Sequence, residues 1–212
     1  MTRLYLTGAR VVLRDALLDD ASVLIEDGII TAINPESGNG AENVDLRGKT
    51  LIPGMIDLHC DALEKEVEPR PNVYFPLDFA CAQADKRNAA AGVTTVYHAL
   101  SFANDELGMR NNGFAASVAR AVHAWNPHGL VDNRVHCRYE VTDPTAPTVL
   151  LELMAANEMH LLSVMDHSPG QGQFKDIAAF RDYLSRTYKK SEAELDTLVD
   201  NKLAQADGAM AR

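Results

Sequence analysis

The feature that most constrains the fold is an apolar run, LIPGMIDLHCD, that spans residues 51–61 and ends in a histidine and a carboxylate. Alternate residues of a strand share a face, so His59 and Asp61 are expected to point the same way at the strand's carboxyl end. An imidazole and a carboxylate suit a divalent transition metal, and barrel enzymes build their active sites at this end. Taken alone, a His-x-Asp pair is more often an ordinary strand end with two unrelated polar residues. The rest of the chain has to decide between the two interpretations.

Residues 1–50 have the pattern of a small β-domain made of short strands and tight turns. Asp27-Gly28 lies between two β-branched runs and predicts a hairpin, because a two-residue hairpin turn needs positive φ. A first strand pair is predicted to turn around Gly8. The predicted strands are Arg3–Thr7, Arg10–Leu13, Ala21–Glu26 and Ile29–Ile33.

Residues 51–212 alternate strand-like and helix-like segments, which indicates parallel βα units. Three prolines at positions 69, 71 and 76 predict a long ordered loop after the first strand, and loops at that end usually bind something. The last helix is predicted to open at Ser191 with a capping box. The predicted helices are Ala80–Ala91, Gly113–Trp125 and Thr148–Asn157, and the later strands are Val93–Ala99, Val135–Val141 and His160–Asp166.

Three of the predicted strand ends carry side chains that can bind a metal. They offer His59 with Asp61, then Glu140, then His167. A glutamate can bridge two cations, and two cations about 3.5–4 Å apart can polarise a phosphoryl or carbonyl oxygen. Glu140 alone would more often be a solvated strand end, and His167 alone a turn histidine. Spacing by itself leaves the metal site and the structural interpretation about equally favoured.

The net charge and the cysteine content limit the kinds of molecule that the chain is expected to bind. The chain of 212 residues has a formal net charge of −10, which disfavours binding to nucleic acid or to an anionic membrane. A small anionic substrate is compatible with this charge only if local cations or metals receive it. Cys60, Cys81 and Cys137 form no disulfide or zinc pattern, and neither a signal peptide nor a membrane-spanning run is evident. We therefore expect a cytoplasmic protein.

Specific motifs carry a resemblance beyond this general pattern. The run around Pro53-Gly54, after a small β-domain, resembles the amidohydrolase superfamily. Three further blocks resemble its phosphonate-metabolism branch: His59-Cys-Asp-Ala-Leu-Glu-Lys65, Pro69-Arg-Pro71 and Met165-Asp-His-Ser-Pro-Gly-Gln171. The resemblance implies an α/β fold, a partial TIM (β/α)₈ barrel at residues 51–212 with an incomplete small β-domain at residues 1–50. It also implies hydrolysis of α-D-ribose 1-methylphosphonate 5-triphosphate to the 5-phosphate and pyrophosphate.

The resemblance assigns roles to residues of this chain. His59, Asp61, Glu140 and His167 match metal ligands for two divalent ions (zinc, manganese or iron), with Asp61 and Glu140 the catalytic carboxylates and Glu140 bridging. On physical grounds we assign Lys65 and Arg70 to substrate phosphates, since an arginine fork suits phosphate oxygens, although both could be solvated loop charges. Backbone N–H groups could also bind an anion at Ser168, Gly170 and Gln171. The remaining histidines are taken as structural or surface residues: His98, His123, His128, His136 and His160.

The resemblance also implies groups that this chain does not offer, namely a further metal-binding histidine and a late-strand aspartate. Residues 51–212 are fewer than the roughly 250 that such a barrel typically needs. We therefore expect either a truncated chain or one half of an assembly, which could be a homo-oligomer. We also expect that the chain alone lacks full activity, and pyrophosphate release by the purified chain would contradict this. Two alternatives stay open: another amidohydrolase, such as a deacetylase or cyclic amidase, and a non-catalytic half-barrel subunit.

Overall fold

The structure, a computed structural model, describes residues 2–70, 73–104, 111–168, 176–178, 181–182, 185 and 192–206. The chain divides into two compact units, Met1–Gly54 and Met55–Arg212. In the part of the chain that the structure describes, no helix is long and apolar enough to cross a membrane.

The first unit is a β-sheet with the strand order β3-β2-β1-β4, and β5 pairs with β1 beside this path. The predicted hairpin is present, with Asp27 and Gly28 at φ values of 49° and 82° between its strands. Ala9, Val11, Ala21 and Val23 form the buried core of this sheet. The strands are β1 (Arg3–Val12), β2 (Leu17–Glu26), β3 (Ile29–Ile33), β4 (Glu42–Asp45) and β5 (Thr50–Leu51).

The strand pair predicted around Gly8 is wrong. Residues 3–12 form the single strand β1, which pairs antiparallel with β2 along its length. Gly8 has a φ of 74° and lies at an irregularity between Leu6 and Ala9, where the register shifts. The positive φ therefore serves a β-bulge, which bends a strand without ending it.

The second unit is a parallel sheet with the strand order β6-β7-β8-β9. Its strands are β6 (Met55–Cys60), β7 (Val93–Phe102), β8 (Asp132–Glu140) and β9 (Leu161–Met165). The helices that alternate with them are α1 (Ala62–Val67), α2 (Leu77–Ala90), α3 (Asn112–Trp125) and α4 (Ala146–Ala155), and α5 (Glu192–Ala206) comes later in the chain. The βα alternation predicted from the sequence is thus present.

The two faces of this sheet are chemically different. Leu100 and Phe102 of β7 and Val135 and Cys137 of β8 pack in the main core with alanine-rich faces of α2 and α3. Side chains alternate along a strand, so the intervening residues of β7 and β8 lie on the opposite face. That face is concave, because the His136 ring on β8 reaches the backbone of β6, two strands away.

The long loop predicted after the first strand is only partly present. Residues Ala62–Val67 form the helix α1, with Leu63 and Val67 buried in the core. The prolines all follow this helix, so none of them interrupts its hydrogen bonds. The prediction was wrong for these six residues because it applied the proline restriction to the whole segment.

Candidate metal centre

His59 and Asp61 lie together at the carboxyl end of β6. His59 is on the strand, whereas Asp61 follows it and precedes the first turn of α1. The distance from His59 Nε2 to Asp61 Oδ1 is 3.4 Å. The backbone N–H of His59 donates to Asp57 Oδ1 at 3.0 Å. The two predicted ligands of the first strand are therefore neighbours, although Asp61 is not part of the strand.

Glu140 and His167 form a second pair at the ends of β8 and β9. Glu140 is the last residue of β8 and its side chain is fully buried, and Oε2 lies 2.7 Å from His167 Nδ1. The hydroxyl of Thr142 donates to Oε1 at 2.9 Å. Burial raises the pKa of Glu140, but the hydrogen bonds from His167 and Thr142 lower it by more than burial raises it. The pKa of Glu140 therefore lies below its usual value. Glu140 is thus a buried carboxylate that stays ionised.

The concave face of β8 supplies two further polar side chains that the sequence analysis did not assign to the site. Arg138 Nη1 lies 3.4 Å from Asp61 Oδ1, and the Arg138 side chain is 21% exposed. The ring of His136 stands edge-on to that of His59, with 5.2 Å between their centroids. Burial lowers the pKa of His136, and the nearby charges of His59 and Arg138 lower it too. Both residues alternate with Glu140 along β8, which is the signal that could have identified them.

Within the described ranges, no three His, Cys, Asp or Glu side chains lie close enough together to hold a metal ion. The predicted ligands form two pairs, one at β6 and one across β8 and β9. Their chemistry fits a divalent transition metal, because imidazole nitrogens and ionised carboxylates are the donors that zinc, manganese and iron accept. The donor set fits, while the side chains form two separate pairs, a hydrogen bond between His167 and Glu140 and a 3.4 Å contact between His59 and Asp61.

Within the described part of the chain, the predicted substrate-binding residues do not form a cluster like the two pairs of predicted metal ligands. Lys65 in the last turn of α1 and Arg70 beyond it are both exposed. Ser168 is buried, and its backbone N–H already donates to Asp166 Oδ1 at 2.9 Å. Gly170 and Gln171 lie outside the described residues. The assignment of these five residues to a substrate stays a prediction.

Comparison with curated proteins gives a match across nearly the whole chain. The chain is 28% identical over 205 residues to α-D-ribose 1-methylphosphonate 5-triphosphate diphosphatase from Escherichia coli, which covers 96% of the chain and 54% of that protein. A shorter match, 42% identical over 60 residues, is to dihydroorotase from Carboxydothermus hydrogenoformans and covers 28% of the chain and 14% of that protein. No protein-family profile matches.

Solved structures share the fold at low sequence identity. N-acetylglucosamine-6-phosphate deacetylase from Pasteurella multocida has a TM-score of 0.54 at 15% identity, covering 87% of this chain and 48% of that one. The deacetylase from Mycobacterium smegmatis has a TM-score of 0.52 at 18% identity, covering 87% and 51%. These matches support the α/β fold with a small β-domain. The curated match confirms the resemblance predicted from the motifs: the chain is similar to an α-D-ribose 1-methylphosphonate 5-triphosphate diphosphatase, and it spans about half the length of that relative.

Proposed function

We propose that the chain supplies the first metal-binding strand ends of a (β/α)₈-barrel hydrolase that cleaves α-D-ribose 1-methylphosphonate 5-triphosphate to the 5-phosphate and pyrophosphate. One observation supports this most: His59, Asp61, Glu140 and His167 all lie at the carboxyl end of one parallel sheet. Barrel enzymes place their reacting groups at that end. The similarity to the diphosphatase supports the choice of substrate.

The metal ligands in this proposal are His59 and Asp61 on one side and Glu140 and His167 on the other. Bound divalent ions would polarise phosphoryl oxygens and offset charge that develops at the bond being broken. Glu140 is suited to hold a cation because it is ionised in spite of its burial. His167 orients that carboxylate through its contact at Oε2, while Thr142 holds Oε1. These contacts fix the plane of the carboxylate.

The proposal requires cations to receive a polyphosphate, because the chain as a whole has a net charge of −10. Arg138 is the best-placed cation of the described residues, since it lies on the concave face beside Asp61. An arginine fork binds phosphate oxygens in pairs. Lys65 and Arg70 would contribute from the surface at the same end of the sheet. Because both side chains are exposed, we assign them to substrate capture and not to the reaction itself.

A deacetylase or cyclic amidase of the same superfamily is the nearest alternative. The solved structures with this fold include N-acetylglucosamine-6-phosphate deacetylases, and the shorter curated match is to dihydroorotase. The deacetylase matches have less than 20% identity and therefore support the fold alone. The motifs Pro69-Arg-Pro71 and Ser168-Pro-Gly-Gln171 favour the phosphonate branch.

Binding of inorganic tripolyphosphate distinguishes these substrate classes without requiring turnover. We expect calorimetry in excess manganese to detect tripolyphosphate binding, with weaker or undetectable binding of N-acetylglucosamine 6-phosphate. Arg138→Gln should weaken tripolyphosphate binding at least about tenfold, because it removes a bidentate phosphate contact worth about 1.5–3 kcal/mol. Arg134→Gln is the matched control, since Arg134 lies on the same face near the other end of β8. Preferential binding of the acetylated sugar phosphate would contradict the diphosphatase proposal.

A further inference from the structure

His136 makes two hydrogen bonds that join strands on either side of it. Its Nδ1 lies 3.1 Å from the carbonyl oxygen of Leu58 on β6, and its Nε2 lies 2.8 Å from the hydroxyl oxygen of Ser163 on β9. The side chain is buried at 5% exposure. A carbonyl oxygen can only accept, so Nδ1 carries the proton and donates to Leu58. In the neutral ring Nε2 is then an acceptor for the hydroxyl of Ser163.

The carbonyl of Leu58 and the N–H of His59 belong to the same peptide group. His136 donates to this carbonyl, and Asp57 accepts from this N–H at 3.0 Å. The peptide plane that precedes the His59 side chain is therefore held from both sides. A peptide held at its oxygen and its nitrogen leaves the next Cα little freedom to rotate. The His59 and His136 rings also lie nearly perpendicular to each other, with 5.2 Å between their centroids.

We propose that His136 is a positioning residue, which fixes the Leu58–His59 peptide so that the His59 imidazole is oriented for a divalent metal. This rests on the proposed function, because it needs His59 to be a ligand. Loss of a group that orients a metal ligand without binding the metal itself typically lowers metal affinity by about 10–100-fold. His136 itself uses both of its nitrogens in hydrogen bonds to protein groups. It therefore acts through His59 and not as a ligand.

Two substitutions of His136 separate this role from a general contribution to packing. The amide nitrogen of asparagine lies close to the place of Nδ1, whereas that of glutamine reaches toward the place of Nε2. His136→Asn should keep a donor for the Leu58 carbonyl, and His136→Gln should lose it. We expect Co²⁺ titration of the full chain, followed by the cobalt absorption bands, to show affinity within about threefold of wild type for His136→Asn. For His136→Gln we expect an affinity lower by about 10–100-fold.

A second variant tests the same peptide from its other side. Asp57→Ala removes the acceptor of the His59 N–H and should also lower cobalt affinity, even if His136→Gln does not fold. Ser163→Ala is the matched control, because it removes the other hydrogen bond of the His136 ring and leaves the Leu58 contact in place. Urea unfolding of each variant verifies that the fold is kept.

The possible outcomes separate this inference from the proposed function. If the wild-type chain binds no cobalt, the metal site itself is wrong and the inference falls with it. If the wild type binds and His136→Asn loses as much affinity as His136→Gln, the ring is needed as such and the positioning role is overturned. Unchanged affinity in His136→Gln and Asp57→Ala overturns it as well. Loss in these two with recovery in His136→Asn supports it.

Discussion

His98 and Glu140 are both buried ionisable residues of the second unit, but His98 is kept neutral whereas Glu140 is kept ionised. Burial lowers the pKa of His98 more than its hydrogen bond to Asn133 raises it, so the ring stays neutral. Nε2 of His98 lies 3.0 Å from Asn133 Oδ1, and the Asn133 amide donates to Asp85 Oδ1 at 2.7 Å. Asn133 therefore presents its oxygen to His98, which must donate from Nε2. Among the described residues, Nδ1 of His98 has no hydrogen-bond partner.

This arrangement predicts acid sensitivity that originates at His98. The unfolded chain protonates His98 near pH 6.5, whereas the folded chain binds this proton only at lower pH. His98 therefore imposes no penalty above pH 6.5 and costs up to about 1.4 kcal/mol per pH unit as the pH falls from there toward the folded pKa. We expect the free energy of unfolding to fall less between pH 7.5 and 5.5 in His98→Gln than in wild type. His128→Gln, at an exposed histidine, should keep the wild-type slope.

The site residues that the sequence identified are those with a distinctive local pattern. His59, Asp61, Glu140 and His167 each follow or end an apolar run, and the structure places them at one end of the sheet. His136 and Arg138 were missed because their importance depends on which face of β8 is concave. That depends on how β6 curls toward β8, which no local pattern encodes. Their roles, like those of the predicted ligands, stay predictions.

Among the elements, the connection from α3 to β8 shows how tightly a loop can be packed. Gly129 has an ordinary φ of −70°, so its backbone conformation allows any residue. An added Cβ would lie 2.7 Å from the Asn133 amide nitrogen and 2.9 Å from the Val131 carbonyl oxygen. Asp85 accepts from the backbone N–H groups of Leu130 and Val131 just beside it. Space, and not φ, requires glycine at this position.

Gly129→Ala is therefore expected to destabilise the second unit by about 1–3 kcal/mol, the usual cost of adding a carbon atom where the surroundings are already closely packed. Urea unfolding followed by circular dichroism should give a lower midpoint. Gly113→Ala in α3 is the control, since its Cβ would meet its nearest neighbour at an ordinary 3.5 Å. That control should be neutral or gain up to about 1 kcal/mol from helix propensity. Equal midpoints for Gly129→Ala and wild type would contradict the packing argument.

Most strands and helices were predictable because apolar segments alternate with glycines, prolines and polar turns, and most of the differences lie at their ends. β7 extends to Phe102, beyond the predicted Ala99, because the sheet and α2 and α3 bury its later residues. α2 begins at Leu77 right after Pro76, whereas the prediction began at Ala80. Gly8 was mistaken for a turn because positive φ serves a bulge and a turn equally well. Tertiary pairing decides such cases, and a single sequence does not record it.

For the whole molecule, the edges of the parallel sheet have the most consequence. Within the described part of the chain, β6 pairs only with β7, and β9 pairs only with β8. Ile56 and Val164 on these edge strands are each 64% exposed. Exposed apolar edge strands are templates for pairing with another chain. A non-catalytic half-barrel that assembles with a partner would use the same edges.

We therefore expect the purified chain to self-associate as its concentration rises, as measured by sedimentation velocity. Val164→Lys should reduce this association, because a lysine on an edge strand blocks pairing. Leu151→Lys is the control, since Leu151 is similarly exposed at 63% but lies on α4, away from the sheet edges. A chain that sediments as a monomer at every concentration would contradict this prediction.

Metal content is the first quantity to measure, because the proposed function requires His59, Asp61, Glu140 and His167 to bind divalent metal. The chain is dialysed to equilibrium against manganese or zinc, and its metal content is determined by elemental analysis. We expect the wild type to retain one or two equivalents and an Asp61→Asn, His167→Gln double variant to retain far less. Urea unfolding of the variant serves as the folding control. Retention of equal metal by both chains, or of none by the wild type, would contradict the assignment of these four residues as metal ligands.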